Sequence, residues 1–578
     1  GITKVVRRGC RAPAPAAIVG GNMDSNWSQG YVTEVLYTEH FFRELSPAWL
    51  NYVAVSNGCF PRPLTPGFTY LELGCGLGHS VGLLAGAYPQ GKFYGVDFNP
   101  AHVDSARRFV ANAGINNVEF IEKGFNDLTA QDVPECDFIV LHGVYAWVSA
   151  EVRAGIQRVI LERLKPGGIV YNSYNCLPGW AADSPLQKLV LETARHMSGD
   201  ATHRTQAALK SVEELVGAKF TFFTGNPAAG KLAAKMADRN ANYLAHEFLN
   251  EHWTPFYSAD VADEMARAKL NFAGSATLSE NHLELLGADA LQAAIKKQPT
   301  VRLKQLFQDL ALNQRFRRDV FVRGHAQLGK AAIQQNMAGL AFGAARDLTD
   351  VTNVAKVARG EVKFDEKGFA ALKECFAQGT WTVAELRQEM QRRKLPQLDV
   401  ERTVNLMAAT GIIIPCALGA RPRPIPAEAK QVKVTSETNR ALIKRMSDNL
   451  IAGNAVSIAA GSAIGIDPVH ALIITLLQQP WKSRAEAKER LKEEVLRRRI
   501  RFNRGPSETK GGDKGADAKA GEKGEIKSGD KVVIGKEVVV QGKIEIPTDD
   551  AMRGGQYFDK FFTAEGPLLH RLGILELV

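Results

Sequence analysis

Apolar and polar residues follow two different periods along the first third of the chain. Short apolar stretches alternate with longer ones in which apolar residues recur every three or four positions. The first kind is typical of buried strands and the second of helices that cover a sheet. This pattern predicts strands at 68–73, 92–97, 118–123, 137–142 and 169–174, and helices at 80–87, 100–113 and 150–164. Strands separated by such helices form a parallel sheet with helices on both faces.

The alternation stops after Trp180. Residues 181–253 have a mostly helical pattern, and two further strand patterns follow at 270–276 and 317–323. We therefore expect the sheet to resume after a helical insertion, with the late strands completing it and the last one antiparallel. The predicted fold class is α/β: a seven-stranded Rossmann-like sheet with a helical insertion, followed by mainly helical C-terminal domains.

The rest of the chain divides into smaller units. Three helical patterns and a short strand predict a winged-helix-like module at 360–420, for which packing or dimerisation is the alternative to nucleic-acid binding. Residues 505–530 are rich in Gly, Lys and Asp, so we expect them to be disordered. The expected domains are a disordered extension at 1–25, the core at 26–180, the helical insertion at 181–255, the remaining strands and regulatory helices at 256–330, the module at 360–420, a helical domain at 430–504, the linker at 505–530, and a β-hairpin with a tail at 531–578.

Composition narrows the class of protein. A net charge of +10 over 578 residues is mildly basic, which permits an anionic partner without requiring one. The seven cysteines form no C-x-x-C pair, which argues against a disulfide framework or a zinc module and favours a reducing cytoplasm. No apolar run reaches the roughly 18 residues that span a membrane. The first 22 residues lack the apolar segment of a secretion signal, and Met23 is the expected natural start.

The segment after the first predicted strand contains the most specific pattern. Glu72 precedes Gly74, Gly76 and Gly78 in the spacing G-x-G-x-G, and we expect it to bind the cofactor together with these glycines. Glycines at the end of a strand let the backbone turn sharply and approach a ligand closely. The dinucleotide pattern G-x-G-x-x-G would need a glycine where His79 stands. The spacing therefore argues against a dinucleotide.

The second predicted strand ends in Asp97, whose carboxylate can accept hydrogen bonds from both hydroxyls of a ribose. Phe98 and Asn99 follow it and would give an apolar wall and an amide beside an adenosine. The alternative is that Asp97 only caps the helix that begins near Pro100. The glycine spacing and Asp97 together predict a binding site for the methyl donor S-adenosylmethionine. We expect no metal in this site.

Aromatic and polar side chains follow the fourth and fifth predicted strands. His142 and Tyr145 lie at the end of the fourth strand, and Tyr174 and Asn175 at the end of the fifth. Both ends lie at the carboxyl edge of the sheet, where ligands bind. We therefore expect Tyr145, Tyr174 and Asn175 to line an acceptor pocket, with His142 either a base or a hydrogen-bond donor to the cofactor. Simple packing of the insertion onto the sheet is the alternative for the aromatic residues.

A helical segment within the insertion has a polar stripe. Tyr243, His246, Glu247 and Asn250 are spaced i, i+3, i+4 and i+7, so they share one face of a helix. We hypothesise that this helix covers the acceptor site with Glu247 facing the substrate; plain solvent exposure is the alternative. The stripe lacks the second histidine of a zinc-protease motif. Residues 225–232 nearly match a phosphate-binding loop, but Leu232 stands where Ser or Thr is required.

Four segments carry a resemblance to a known family. ELGCGLGHS, VDFNPAH, DFIVLHGVYAWVS and SYNCLPGW resemble bacterial class I S-adenosylmethionine-dependent methyltransferases that have a methyltransferase regulatory domain after the catalytic core. That family includes rickettsial protein-lysine methyltransferases acting on outer-membrane protein. The resemblance runs from about residue 26 to 324, and more weakly beyond.

The resemblance implies roles for individual residues. It implies a seven-stranded sheet whose last strand is antiparallel, and donor binding by Gly74, Gly76, Gly78 and Asp97. It also implies that Phe125 and Asn126 flank the adenine, although an acid is common at that position in class I enzymes. In such enzymes an N-terminal arm often closes over the donor, which makes Tyr31 a candidate for that contact.

The predicted function is methyl transfer from S-adenosylmethionine to a nucleophile, with a protein lysine as the acceptor that the resemblance implies. The alternatives are a small-molecule or nucleic-acid methyltransferase and a non-catalytic scaffold with the same fold. The intact glycines and Asp97 argue against the scaffold, and SYNCLPGW lacks the Pro-Pro step of many base-methylating enzymes. We expect no membrane or nucleic-acid partner, and a homodimer is possible.

Overall fold

The structure is a computed structural model that describes residues 39–236, 241–324, 327–357, 360–422, 424–502, 532–534 and 548–578. The predicted extension at 1–25, the candidate Tyr31 and the predicted linker at 505–530 lie outside the described residues. Of the hairpin predicted after residue 531, only 532–534 are described.

A seven-stranded mixed sheet forms the centre of the first half of the chain. Its strands have the spatial order β3-β2-β1-β4-β5-β7-β6, and β7 runs antiparallel to both of its neighbours. The predicted sheet with an antiparallel last strand is therefore confirmed. The strands are β1 Thr69–Leu73, β2 Lys92–Asp97, β3 Val118–Glu122, β4 Cys136–Leu141, β5 Leu164–Asn175, β6 Leu270–Ser275 and β7 Phe316–Arg323.

Helices cover both faces of this sheet. The central strands β1 and β4 are buried along their whole length, as expected of strands covered on both faces. Asn99 and Ser149 cap the N-termini of α3 and α4 with their side chains. The helices flanking the sheet are α1 Pro47–Ser56, α2 His79–Ala87, α3 Pro100–Ala113, α4 Ala150–Arg163, α10 Ser258–Arg267, α11 Asp289–Lys296 and α12 Val301–Leu312.

The insertion between β5 and α10 is helical, as predicted. Its helices pack around a small apolar core of their own that includes Leu186, Val190, Leu209 and Phe248. This core lies beside the carboxyl edge of the sheet, since Trp180, at the end of the β5 segment, belongs to it. The inserted helices are α5 Ser184–Ala194, α6 Ala201–Gly217, α7 Thr221–Gly225, α8 Pro227–Met236 and α9 Ala241–Phe248.

The C-terminal part combines helices with small sheets. Its helices are α13 Lys330–Ala338, α14 Glu366–Phe376, α15 Val383–Arg392, α16 Val400–Ala409, α17 Glu437–Asn449, α18 Pro468–Leu477, α19 Arg484–Arg497, α20 Thr548–Lys560 and α21 Gly566–Arg571, with a π-helical turn at Phe561–Glu565. Its strands are β8 Ala341–Ala344, β9 Val354–Val357, β10 Gly360–Lys363, β11 Trp381–Thr382, β12 Ile413–Cys416, β13 Val432–Val434, β14 Gly453–Ser457, β15 Ser462–Ile466, β16 Ile500–Phe502, β17 Val532–Ile534 and β18 Leu575–Leu577. The segment predicted to be winged-helix-like contains α14, α15, α16 and a sheet of order β11-β8-β12; its resemblance to that module stays a prediction.

The C-terminal part packs directly against the sheet domain. Ser46 Oγ donates a 2.6 Å hydrogen bond to the carbonyl of Gly461, and the Tyr52 hydroxyl donates to Asn405 at 3.0 Å. One hydrophobic cluster contains side chains from both parts, including Tyr88 and Val456. Among the described residues, none of the helices combines the length and the apolar character that crossing a bilayer requires.

Candidate active site

The turn between β1 and α2 has a backbone that needs glycine. Gly74, Gly76 and Gly78 have φ values of +74°, +52° and +69°. A Cβ on Gly74 would lie 2.4 Å from Val144 Cγ2, and one on Gly78 would lie 2.5 Å from the Cβ of Ala106. Two of the three glycines therefore let neighbouring elements pack against the turn. A Cβ on Gly76 would meet nothing within 4 Å, since this glycine borders a cleft.

Asp97 ties the turn to the start of α3. Its carboxylate accepts hydrogen bonds from the backbone N–H groups of Gly76 and Asn99, both at 2.9 Å, and its Oδ1 lies 3.2 Å from His102 Nδ1. The side chain that caps α3 is Asn99, which accepts from the Ala101 N–H. The alternative role of Asp97 as a helix cap is therefore filled by its neighbour.

A cleft opens at the carboxyl ends of β1, β2 and β4, and we call it the donor cleft. It holds about 820 Å³ of empty space, a volume that includes open solvent. Its walls combine glycines, apolar side chains and a few polar groups. They are formed by Gly74, Gly76, Asp97, Phe98, His102, Gly124, Phe125, His142, Gly143, Val144, Trp147, Val148, Ser149 and Val152.

Glu72 and Asn126 occupy positions different from those expected of cofactor ligands. Glu72 lies beneath the glycine turn, buried, and its Oε2 has no hydrogen-bond partner among the described residues. Burial raises the pKa of this carboxyl to about 8, against the lowering effect of the Val81 N–H and with a smaller raising effect from Asp97. Asn126 is exposed outside the cleft, beside Gly155 of α4. The prediction that Asn126 flanks the adenine is therefore not supported, whereas Phe125 does line the cleft.

His142 lies on the floor between two cavities and is electrically neutral at ordinary pH. Burial, with smaller contributions from the positive charge of Arg318 and from His40, lowers its pKa to about 3. Its Nδ1 is 2.8 Å from the Tyr171 hydroxyl, and its ring stacks on Phe42 with centroids 3.6 Å apart. A neutral imidazole paired in this way fits hydrogen bonding to a ligand better than storage of a proton.

A second cavity, the acceptor cavity, adjoins the donor cleft. The two share His142, Gly143 and Trp147. Most of the remaining wall is aromatic, with one amide and one carboxylate. The residues lining it are Phe42, His142, Gly143, Ala146, Trp147, Tyr174, Asn175, Tyr243, Glu247 and Phe316.

Glu247 of α9 is the acidic side chain of the acceptor cavity. Its Oε1 accepts hydrogen bonds from the side chains of Asn175 and Trp253, both at 3.0 Å. The residue is buried, so these bonds hold a carboxylate in a largely apolar wall. Of the predicted polar stripe, Tyr243 and Glu247 line the cavity. His246 and Asn250 are buried elsewhere, which excludes solvent exposure as the reason for the stripe.

The two tyrosines expected to act on the acceptor have their hydroxyls engaged elsewhere. The Tyr145 hydroxyl pairs with Glu264 of α10 and accepts from Gln157 at 3.0 Å, and the residue does not line the acceptor cavity. The Tyr174 hydroxyl donates to Asp319 at 2.5 Å. Burial raises the pKa of both phenols. Tyr145 therefore has a packing role in this structure, and Tyr174 contributes its ring to the cavity.

The acceptor cavity continues outward between the insertion and β7. The outer cavity shares Asn175, Tyr243, Glu247 and Phe316 with it. The other residues lining the outer cavity are Trp180, Leu232, Met236, Leu244, Phe248 and Arg315. The Arg315 guanidinium lies 4.0 Å from the centroid of the Trp180 ring. The donor cleft, acceptor cavity and outer cavity therefore adjoin one another in series.

Several wall residues were missed by reasoning from sequence. Phe42 and Phe316 come from segments without a motif, one before α1 and one at the start of β7. His102 stands within VDFNPAH, so its motif was visible, but its contact with Asp97 depends on how α3 begins. Its Nε2 is buried and has no hydrogen-bond partner among the described residues.

Two family models match the chain. One, described as a methyltransferase domain, matches residues 64–257, and the other, described as a predicted methyltransferase regulatory domain, matches residues 240–323. An uncharacterized protein of Synechocystis is 37% identical over 391 residues, which are 67% of this chain and 77% of that protein. The chain belongs to the class I S-adenosylmethionine-dependent methyltransferases with a regulatory domain.

The chain is also similar to a second relative and to a solved structure. An uncharacterized protein of Rickettsia prowazekii is 30% identical over 227 residues, which are 39% of the methyltransferase and 89% of that protein. The structure of PKMT2 from Rickettsia typhi in complex with AdoHcy superposes with a TM-score of 0.64 at 17% identity, covering 93% of the methyltransferase and 99% of that chain. At this identity the similarity concerns the fold, and it extends through the C-terminal part.

The donor cleft fits the cofactor that the methyltransferase uses. Gly76 presents backbone without a side chain to the cleft, and Asp97 lies on its wall with a carboxylate. Phe98 and Phe125 supply apolar surface for a planar base. The buried Nε2 of His102, which has no partner among the described residues, is a further polar group on this wall.

Proposed function

We propose that this methyltransferase transfers the methyl group of S-adenosylmethionine to the side-chain amine of a protein lysine. The observation that carries the proposal is the buried Glu247 carboxylate, held in an aromatic wall next to the donor cleft. Such a cavity favours a cation on a slender apolar stem. The family resemblance and the similarity in fold to PKMT2 support the same acceptor.

In the donor cleft, Asp97 would accept hydrogen bonds from the ribose hydroxyls, and Phe98 and Phe125 would enclose the adenine. Gly76 lets the backbone approach the amino-acid part of the donor. When bound, S-adenosylmethionine supplies an electrophilic methyl group on a sulfonium. The neutral His142 lines both cavities and would hydrogen-bond the donor at their boundary.

In the acceptor cavity, the rings of Trp147, Tyr174 and Phe316 would pack along the methylene stem of the lysine. The Glu247 carboxylate would bind the terminal ammonium and, once the ammonium has released its proton to bulk solvent, would orient the neutral amine toward the methyl group of the donor. Aromatic faces also hold cations by cation–π attraction, including the methylated product. The chain therefore acts by alignment and by exclusion of water, without a covalent intermediate. The insertion at 181–255, which contributes Glu247, is in this proposal the substrate-binding lid.

Labelled S-adenosylmethionine and a cell lysate test the proposal. We expect label in protein, at lysine side chains by mass spectrometry. Glu247→Gln should lower the rate at least tenfold with donor affinity unchanged. Glu251→Gln is a matched control, because Glu251 is nearby but exposed and pairs with Arg195. Label only in nucleic acid or small molecules would overturn the lysine acceptor, and absence of donor binding would indicate a scaffold.

We infer two further properties, the cellular compartment and the oligomeric state. A reducing cytoplasm is supported by the buried cysteines that form no disulfide among the described residues, namely Cys75, Cys136, Cys176, Cys375 and Cys416. Cell fractionation tests this. A homodimer is supported by exposed apolar side chains on α12, namely Val301, Phe307 and Leu310. Light scattering would show a mass near 63 kDa if the dimer does not form.

A further inference from the structure

A polar cavity lies where the sheet domain meets the C-terminal part, and we call it the interface cavity. Three parts of the chain build its wall: the segment before α1, the strand β7, and the small strands of the C-terminal part. The side chains on this wall include His40, Phe42, Arg43, Glu44, Arg318 and Ser462. It shares no lining residue with the donor cleft and shares only Phe42 with the acceptor cavity.

The charged groups of this wall are mostly basic. Arg43, Arg318 and His40 face a single carboxylate, that of Glu44. Among the described residues, neither guanidinium is within 4 Å of an acidic side chain. Arg318 instead lies 5.2 Å from the Phe316 ring centroid and donates to Thr277 Oγ1 at 3.3 Å. Two guanidiniums against one carboxylate leave this wall with a net positive charge.

Two polar atoms on this wall are buried without a hydrogen-bond partner among the described residues. They are the hydroxyl oxygen of Ser462 and the Nε of Arg318. Ser462 is only 3% exposed. Buried polar groups are nearly always paired, so a hydroxyl and a guanidinium N–H left unpaired on one cavity wall indicate a ligand with acceptor atoms.

We propose that the interface cavity binds a small free oxyanion, through a carboxylate or phosphate group. Guanidinium groups match the planar geometry of carboxylate and phosphate oxygens, and the Ser462 hydroxyl supplies a neutral donor. A bound anion would link the segment at 40–44 to β7 and to β15. Because Phe42 of that segment stacks on His142, the anion site is coupled to the methyl-transfer site through one ring contact.

Calorimetric titration of the full chain with inorganic phosphate and with succinate, at constant ionic strength in chloride, tests the proposal. We expect saturable binding of at least one anion, with affinity reduced tenfold or more in Arg318→Gln and about threefold in Arg43→Gln and Ser462→Ala. Arg43 is exposed, so its replacement should leave folding intact even if the Arg318 variant is unstable. Arg392→Gln is the control, since that arginine is exposed on α15.

Saturating S-adenosylhomocysteine distinguishes this site from the donor cleft. Anion binding that persists in the presence of saturating S-adenosylhomocysteine supports the interface cavity. Anion binding that is lost in its presence overturns the proposal. The absence of saturable binding by the unmodified chain, or equal binding by all the variants, would also overturn the proposal. None of these outcomes depends on which molecule accepts the methyl group.

Discussion

The side-chain amide of Asn175 donates a 3.0 Å hydrogen bond to the carboxylate of Glu247. This bond joins the end of β5 to a helix that lies 72 residues further along the chain. It fixes the position of the helical insertion relative to the sheet edge at the place where the acceptor cavity adjoins the donor cleft. The acceptor cavity therefore depends on contact between two elements that are far apart in the sequence.

Removing this amide should weaken acceptor binding and leave donor binding intact. In Asn175→Leu the buried carboxylate loses one of its two described hydrogen bonds, each worth roughly 1.5–3 kcal/mol when one partner is charged. We expect the KM for the acceptor to rise about tenfold or more in steady-state assays. A donor Kd that changes by the same factor would contradict a role confined to the acceptor side.

His102 should contribute to donor affinity. Its Nδ1 lies beside Asp97, and its Nε2 is buried on the cleft wall with no partner among the described residues. His102→Ala removes both the support for Asp97 and the second polar group, so donor affinity should fall about tenfold. Calorimetry with S-adenosylhomocysteine measures this. His102→Asn, which retains a polar group near Asp97, should recover part of the loss, and equal weakening in both variants would point to packing alone.

Substitution of two glycines in the turn should have different effects: one should lower the stability of the fold, and the other should weaken donor binding. Gly78→Ala places a Cβ 2.5 Å from Ala106 and 2.6 Å from the Phe120 ring, so overpacking of about 1–3 kcal/mol should lower the melting temperature. Gly76→Ala has open space around the new Cβ and suffers only backbone strain of about 1 kcal/mol. It should fold but bind the donor poorly. The idea fails if Gly76→Ala retains full donor affinity.

The sheet could be predicted from sequence because its signals are local. Each strand of the parallel part is a short apolar run ended by a turn, and the glycine spacing and Asp97 lie directly at strand ends. The donor cleft could therefore be predicted from residues that are close together in the sequence. Asn126 was expected beside the adenine because of its position in the family motif. Such a position indicates where the backbone lies but not where the side chain points, and here the side chain points toward Gly155.

The acceptor side was harder because its contacts are long-range. Glu247 was found from helical periodicity alone, but its partner Asn175 was not predictable as such. Tyr145 looked like a cavity residue because it follows β4, yet Glu264 from α10 takes up its hydroxyl. Phe42 and Phe316 reach the cavity from segments with no motif. In each case the decisive neighbour is far away in sequence.

Glu72 should make the stability of the sheet domain depend on pH. The folded chain raises the pKa of this carboxyl to about 8, well above its ordinary value of 4.5, because it is buried beneath the turn. Between these two values the folded state holds a proton that the unfolded state has released. The contribution of Glu72 to stability is therefore fully present below about pH 4.5 and is lost progressively as the pH rises to about 8, at no more than roughly 1.4 kcal/mol per pH unit.

Glu72→Gln isolates this contribution because glutamine has nearly the same shape and stays neutral. The variant should lose stability less steeply than the unmodified chain between pH 5 and 8, so that the difference between them grows in favour of the variant as the pH rises. Denaturant unfolding at several pH values, followed by hydrogen exchange of β1 and α2, measures the difference. A constant difference across this range would show that Glu72 is already ionised in the folded chain.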